Sequence, residues 1–406
     1  MGPLAGIRVL DLTRILAGPF AGQILADLGA EVVKVERPGT GDDTRAWGPP
    51  YLKDSDGNET RESTYFLSTN RGKRSITVNL ANAQGQALVR DLAARADVLL
   101  ENYKVGDLAR FGLDFASLSA VHPRLIYCSI TGYGQDGPYA QRPGYDPIAQ
   151  ALGGMMSVTG ERDDLPGGGP QRAGVAVIDV MTGMYAALAV TAALQHRHAS
   201  AKGQHIDMAL LDVQVASMIN IAQTYLSAGV VPGRIGSSHP SVVPSQIFRA
   251  ADGHVMLTVG NDAQFERFCE AAGCRELLGD PRFATNEARV RHREFTIPVV
   301  AAIVGTRPAT FWVDAMTAVG VPCARINDMA QVFDDPQVRA RKLRVELPDP
   351  VAGMLSMVAS PLRFSDSNVE YQLPPPRLGE HTEAVLQDWL GLDASDVARL
   401  RAAGAV

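Results

Sequence analysis

Cysteine is scarce in this sequence: Cys128, Cys269, Cys274 and Cys323 are the four in 406 residues. No two stand at C-x-x-C spacing, and Cys269 and Cys274 have no histidine close by in the sequence, so no zinc or redox motif is expected. Cys128 follows Leu125-Ile126-Tyr127 in an apolar run and reads as a buried, reduced thiol of a cytosolic protein. His196, His198, His205, His239 and His381 show no H-x-x-x-H or H-E-x-x-H spacing, which argues against a metal site. There is also no Lys/Arg run; the net charge of −6 is mild and dispersed, which excludes an electrostatic nucleic-acid footprint. The first residues lack a basic region followed by an apolar core, and a strand begins by Ile7, so neither a signal nor a transit peptide is expected and a cytoplasmic location is. Only residues 173–194 are apolar enough to suggest a membrane span. They contain Asp179, costly in lipid, and a buried strand followed by a buried helix is the expected reading, with no membrane partner.

What is present is an ordinary globular composition, 46% hydrophobic and 20% charged, at a length that suggests about two domains. Ile7-Arg8-Val9-Leu10-Asp11-Leu12 reads as a buried strand, residues 17–28 as a helix stopped by Gly29, and Glu31-Val32-Val33-Lys34-Val35-Glu36 as a second strand. Strand–helix–strand at this length is a βαβ unit, and further strands at 75–80, 97–101 and 124–130 extend it. The fold expected is α/β, a doubly wound Rossmann-like parallel sheet. Residues 42–62 read as a polar loop, and a long helix is expected over 182–198. Residues 229–244, rich in Gly, Ser and Pro, read as a linker, and 245–259 as a hairpin opening a smaller α+β domain.

Four groups of residues could carry chemistry. The turn Gly18-Pro19-Phe20-Ala21-Gly22 sits where a nucleotide would bind, with Glu36 on a ribose, but it is not G-x-G-x-x-G and Pro19 lacks an N–H. Arg37, Arg71, Lys73, Arg74, Lys104 and Arg110 stand beside turns and could hold phosphates; on charge counting alone a solvated loop is the better reading. Asp179 interrupts the apolar run Gly174-Val175-Ala176-Val177-Ile178 before a helix, either as its cap or as a functional carboxylate. Burial raises the pKa of such a group while helix N–H groups lower it and keep it ionised, and a carboxylate so poised can act as a nucleophile. Tyr145 and Asp146, ahead of the flexible Gly153-Gly154, read as core and cap residues.

Several motifs in order carry a resemblance: Gly6-Ile7-Arg8-Val9-Leu10-Asp11-Leu12, Asn70-Arg71-Gly72-Lys73-Arg74, Glu101-Asn102-Tyr103, Thr131-Gly132-Tyr133-Gly134, Asp179 with Thr182-Gly183, and Leu378-Gly379-Glu380-His381-Thr382. With these the sequence resembles the class III CoA-transferases almost end to end. Residues 41–50 and 128–135 make it most similar to the members exchanging CoA among succinate, glutarate and hydroxymethylglutarate. The resemblance implies that Asp179 is the nucleophile and that a coenzyme A thioester is substrate, with no prosthetic group and no metal. It implies CoA contacts at Ile15, Leu16, Arg37, Lys73, Asn102, Tyr103, Arg110 and Phe111. It further implies a large split domain (1–225 and 329–406), an inserted linker and small domain (226–328), and an interlocked homodimer.

Two departures bear on substrate. Leu16 stands where formyl transferases carry Gln, which argues against formate and oxalate, and residues 258–262 carry one Gly where that subgroup has a glycine run. A dicarboxylate such as succinate or glutarate needs a cation or donor in the acyl pocket, for which Arg45, Arg172 and His239, with Tyr145, are the candidates. The rival activity is that of α-methylacyl-CoA racemases, which resemble the same family but use a Gly-His-Asp motif. Here it is Gly144-Tyr145-Asp146, and tyrosine is a poor base at neutral pH.

Overall fold

The computed structural model describes residues 1–406, which form two compact units. The first comprises Met1–Gly154, Ala173–Ala222 and Gln337–Val406; the second comprises Met155–Arg172 and Gln223–Pro336.

The first unit is built on β1 (Arg8–Asp11), β2 (Glu31–Glu36), β5 (Lys73–Thr77), β6 (Val98–Glu101), β7 (Ile126–Thr131) and β8 (His205–Ala209), between which β3 (Tyr51–Lys53) and β4 (Glu59–Ser63) form a separate hairpin. The six run parallel in the order β5-β2-β1-β6-β7-β8. Counted within the sheet this is 3-2-1-4-5-6, the dinucleotide-fold order. The strands are short and apolar because both faces are covered: Val9, Leu10, Val33, Val98, Leu99 and Ile126 are all fully buried. The motif at residues 378–382 ties the tail to the β5 edge. There Gly379 N–H donates to Ser75 Oγ, His381 N–H to the Ser75 carbonyl, and Thr77 N–H to Thr382 Oγ1.

Three sequence expectations are corrected. The long helix spans Val177–Ser200, starting five residues early, and the apolar residues before it form a turn rather than a strand. A strand there would need a neighbour; a carboxylate from another segment caps the helix instead, as described below. Residues 42–62 are not all loop, since β3 and β4 pair within them; their period-two pattern is hidden by polar side chains. The helix Val177–Ser200 is long and apolar enough to cross a bilayer, and Gly183 sets its packing: a Cβ there would lie 2.7 Å from the Ala17 carbonyl of the helix Ala17–Asp27.

Charge is buried under the carboxyl ends of the first strands. Lys73, fully buried, donates to Asp11 Oδ2 (3.0 Å), Asn70 Oδ1 (2.9 Å) and the Pro19 carbonyl (2.7 Å). Gly22 leaves the room for this: a Cβ would stand 2.8 Å from Asp11 Oδ2 and 3.2 Å from Lys73 Nζ. Lys34, equally buried, donates to the Thr13 carbonyl and to Asp42 Oδ2. Glu36 accepts both guanidinium bonds of Arg45, at 2.7 and 2.6 Å, with Ser75 Oγ–H at 2.7 Å.

The second unit holds the antiparallel sheet β11-β10-β9, formed by β9 (Ser245–Ala250), β10 (Gly253–Thr258) and β11 (Cys323–Arg325). Its core gathers Phe265, Phe268, Phe283 and Trp312. The first unit has one more hairpin, β12 (Arg344–Asp349) with β13 (Gly353–Val358).

Breaking the buried pair strands a charge. Asp11→Ala is expected to lower stability by about 3–5 kcal/mol in chemical denaturation, and adding Lys73→Met should recover much of that loss. Equal stability of Asp11→Ala and the wild type would show that the pair is not holding the strands.

Candidate functional site

Strand addition reverses between β1 and β6, and open parallel sheets bind ligands outside the carboxyl ends of their strands at that point. A pocket of about 370 Å³ opens there, walled by residues 14–17 after β1, 102–105 after β6, 130–132 at the end of β7, and the 142–145 loop. Asp179 is the one carboxylate in its lining; Arg14, Lys104 and Arg142 are its cations.

The turn after β1 is strained and clamped. Ile15 sits at φ +75°, a left-handed conformation that a β-branched residue rarely adopts and that costs about 1–3 kcal/mol. Its N–H donates to Asp42 Oδ1, itself fixed by Lys34. One residue back, Arg14 N–H donates to Asn102 Oδ1 (3.0 Å) while Asn102 Nδ2 returns a bond to the Arg14 carbonyl (2.7 Å). The buried ion network therefore holds the residues that present Ile15 and Leu16 to the pocket.

Asp179 lies in the first turn of its helix but does not cap it. The cap is Asp146, 3% exposed, whose Oδ2 accepts from the N–H groups of Ile178 (2.7 Å) and Asp179 (3.1 Å). Gln150 completes the arrangement, donating to Asp146 Oδ1 at 2.6 Å and accepting from Ala173 N–H. Burial, and then the neighbouring Asp146 charge, push the Asp179 carboxyl up to about 7. The expectation that helix N–H groups would keep it ionised is thus corrected, because those donors are already taken. The arrangement yields a carboxyl half-ionised near neutral pH, short of stabilising bonds, and therefore reactive toward an electrophile.

The structure places the other sequence-derived residues unevenly. Ile15, Leu16, Asn102, Tyr103 and Tyr145 line the pocket with Asp179. Lys73 does not: its ammonium is enclosed by three protein acceptors and has no path to a ligand. Arg45, offered for a substrate carboxylate, is spent on Glu36 and the Pro376 carbonyl and stacks on Phe66. Arg71 is spent likewise, in a two-pronged pair with buried Asp27. Arg37 is exposed beside a small cleft that it shares with Tyr103, and Arg110 pairs with Asp107 and stacks on Phe111. Arg172 and His239 belong to the second unit, where His239 Nδ1 accepts from Ser241 N–H.

Sequence reasoning missed three residues. Arg14 and Arg142 line the pocket from loops with no recognisable motif, and Arg142 lies flat on Tyr139 at 3.8 Å. Tyr65 lies within electrostatic reach of Asp179: burial, then the charges of Asp179, Asp146 and Asp42, push its hydroxyl up to about 12. Its place next to Asp179 depends on tertiary contact across more than a hundred residues, for which the sequence holds no local signal.

Comparison with known proteins agrees with this geometry. The chain is 48% identical over 386 residues to the succinate–glutarate CoA-transferase of Agrobacterium fabrum, covering 95% of each. It is 42% identical over 406 residues to the succinyl-CoA:glutarate CoA-transferase of Mus musculus, covering all of this chain and 91% of the other. A solved CAIB/BAIF family protein from Brucella suis superposes with a TM-score of 0.85 at 44% identity, covering 96% of this chain and 99% of that one. The profile of CoA-transferase family III matches residues 4–382. This chain therefore belongs to CoA-transferase family III and is an enzyme that transfers coenzyme A.

Proposed function

We propose that the enzyme moves CoA from a succinyl-CoA-like donor to a free dicarboxylate such as glutarate, through a thioester formed on Asp179. The observation that carries this reading is the lone pocket carboxylate: Asp179, raised to about 7, shares a pocket at the switch point of the sheet with Lys104, Arg142 and an Arg14 that also pairs with Asp43. A thioester lying across the strand ends brings its carbonyl to Asp179, while Arg14, Lys104 and Arg142 offer charge to phosphates and carboxylates. The relatives' names supply the acids.

The chemistry balances within two substrates. An Asp179 carboxylate oxygen attacks the donor thioester carbonyl and expels CoA thiolate, giving an acyl–aspartyl anhydride. The thiolate attacks the aspartyl carbonyl, releasing the donor acid and leaving aspartyl-CoA thioester. The acceptor carboxylate attacks that thioester, forming a new anhydride and freeing thiolate, which takes the acceptor acyl group and restores the Asp179 carboxylate. Every step exchanges one activated carbonyl for another of similar energy, so residues of the chain need only bind, orient and stabilise oxyanions. Asp146 aids the first step by depriving Asp179 of hydrogen-bond donors.

A racemase-type reading is less supported, since the pocket presents Tyr145 where a histidine base would stand. We further place the enzyme in the cytoplasm, away from membranes, as an interlocked homodimer with a split large domain. Met184, Tyr185 and Leu188, exposed along the helix Val177–Ser200, supply apolar surface for a second copy to cover.

Incubation with succinyl-CoA and hydroxylamine is expected to leave a hydroxamate on the Asp179 peptide by mass spectrometry, absent in Asp179→Ala. An unmodified Asp179 with several acyl-CoA donors would sink the covalent route and leave α-proton exchange in deuterated water to be measured. The ionised carboxyl is the reactive form, so kcat/KM should fall as pH drops below about 7. Folded Asp179 holds its proton up to that pH, whereas the unfolded chain releases it near the ordinary carboxylate range. Wild-type stability therefore declines from about pH 4 to 7 through this group, and Asp179→Asn should be more stable by on the order of 2 kcal/mol at pH 8, with no difference near pH 4. A variant no more stable at pH 8 would refute the strained carboxyl.

A further inference from the structure

Behind the pocket wall lies a second cavity of about 250 Å³, and the 103–105 segment lines both. On its floor, neighbouring parallel strands place polar side chains on one face: β6 residue Glu101 pairs with β7 residue Ser129, and β8 residue His205 lines the cavity beside them. Glu101, 5% exposed, accepts the Tyr103 N–H on Oε2 at 2.8 Å, and Ser129, its neighbour across the β6–β7 ladder, acts to lower its pKa. Ser129 Oγ is in turn 2.9 Å from Nε2 of His205, half-buried and stacked on Phe115 at 5.1 Å. A row of polar groups in one cavity therefore leads from a partly accessible imidazole, through the Ser129 hydroxyl it bonds, to the adjoining buried carboxyl that grips the backbone of the substrate pocket's wall. Neither the transfer chemistry nor the pocket lining uses any of these three side chains directly, apart from that wall.

We propose that Glu101 is a positioning residue whose protonation, delivered through His205 and Ser129, sets how firmly the 102–105 wall is held and hence how tightly the acyl-CoA pocket binds. With Glu101 ionised, His205 Nε2–H donates to Ser129 Oγ and Ser129 O–H donates to the carboxylate, which accepts the Tyr103 N–H as a charge-assisted bond. When a proton arrives at His205 Nδ1, the Nε2 proton passes to Ser129 Oγ and the Ser129 proton to Glu101. One proton is gained overall, the imidazole changes tautomer, and the Tyr103 N–H is left facing a neutral acid. The groups around Glu101 favour such a switch at neutral pH. Burial comes first, and the Asp207 charge adds to it, so that Glu101 is pushed up to about 7 although Ser129 and the Tyr103 N–H act to lower it. Burial also holds His205 below its usual value, with Asp207 opposing, so the imidazole conducts a proton without retaining it. Lys104 from the wall and Asp114 from the segment before the helix Phe115–Val121 face the same cavity with opposite charges, and Tyr127 and Cys128 on β7 stay neutral, both raised by burial.

The inference rests on the pocket being the CoA site, and its test separates the two. Hydrogen exchange of the ligand-free enzyme, corrected for intrinsic rates, should show protection of the 102–105 amides falling as pH drops from 8 to 6. Glu101→Gln, which keeps an acceptor but cannot titrate, should abolish that dependence, and Ser129→Ala, which removes a bond to the charged form, should move its midpoint upward. In parallel, calorimetry with free coenzyme A should give a Kd that rises about tenfold over the same range in the wild type and less than twofold in Glu101→Gln. A purely structural Glu101 would weaken binding by one factor at every pH, which overturns the proposal, as does unchanged pH-dependent exchange in the variant. If exchange behaves as expected while coenzyme A fails to bind the wild type, the CoA reading of the pocket fails and the switch stands.

Discussion

Two buried lysines and a partly buried arginine, ion-paired beside β1, β2 and β5, govern the rest of this structure. Lys73 cannot leave Asp11 without stranding two charges in an apolar sheet, and Lys34 with Asp42, and Arg45 with Glu36, are bound by the same rule. Such pairs add little net stability, but each fixes a geometry, because a displaced partner is costly. Asp42 shows the consequence. Although burial alone would raise it, the Lys34 charge and bond and the Thr44 donors hold it down at about 2. As a permanent anion it anchors the N–H of Ile15 and keeps that residue in its strained conformation. The strain at the pocket edge is thus sustained by electrostatics a few residues beneath it.

The pocket carboxyl, Asp179, obeys the complementary constraint. A helix start offers a few free N–H groups, and whichever carboxylate takes them is stabilised as an anion. Asp146 takes two of these, so Asp179, one turn into the same helix, is left with burial and a like charge. Two acids within one small region are thus placed differently, one bound by the helix N–H groups and the other left without them. Glu101 repeats the pattern on the far side of the 102–105 wall, with burial prevailing over its bond from the Tyr103 N–H.

Much of the fold was legible because both faces of a parallel sheet must be apolar, and runs such as Val32-Val33 and Leu99-Leu100 announce this locally. The strand–helix alternation then leaves few topologies open. Asp179 was legible as a lone acid in an apolar run. Arg45 and Lys73 misled because an isolated cation near a turn looks alike in sequence whether its partner is a ligand or a buried glutamate. Glu36 and Asp11 settle that question from other strands. Tyr65 and Arg142 left no trace, as nothing near them in sequence marks a site.

Hydrophobic period, turn residues and an ordered set of motifs determine, from the sequence by itself, the parallel α/β fold and the family, and single out Asp179 as the candidate acid. These depend on neighbours along the chain, or on residue identity at motif positions, and need no coordinates. Which cation is free and which is consumed, which carboxylate caps the helix and which is left without donors, and that Glu101, Ser129 and His205 share one cavity were decided only by the tertiary structure. Each of these turns on electrostatics in a low-dielectric interior, where an interaction of a few ångströms outweighs composition, and such distances join residues far apart in the chain.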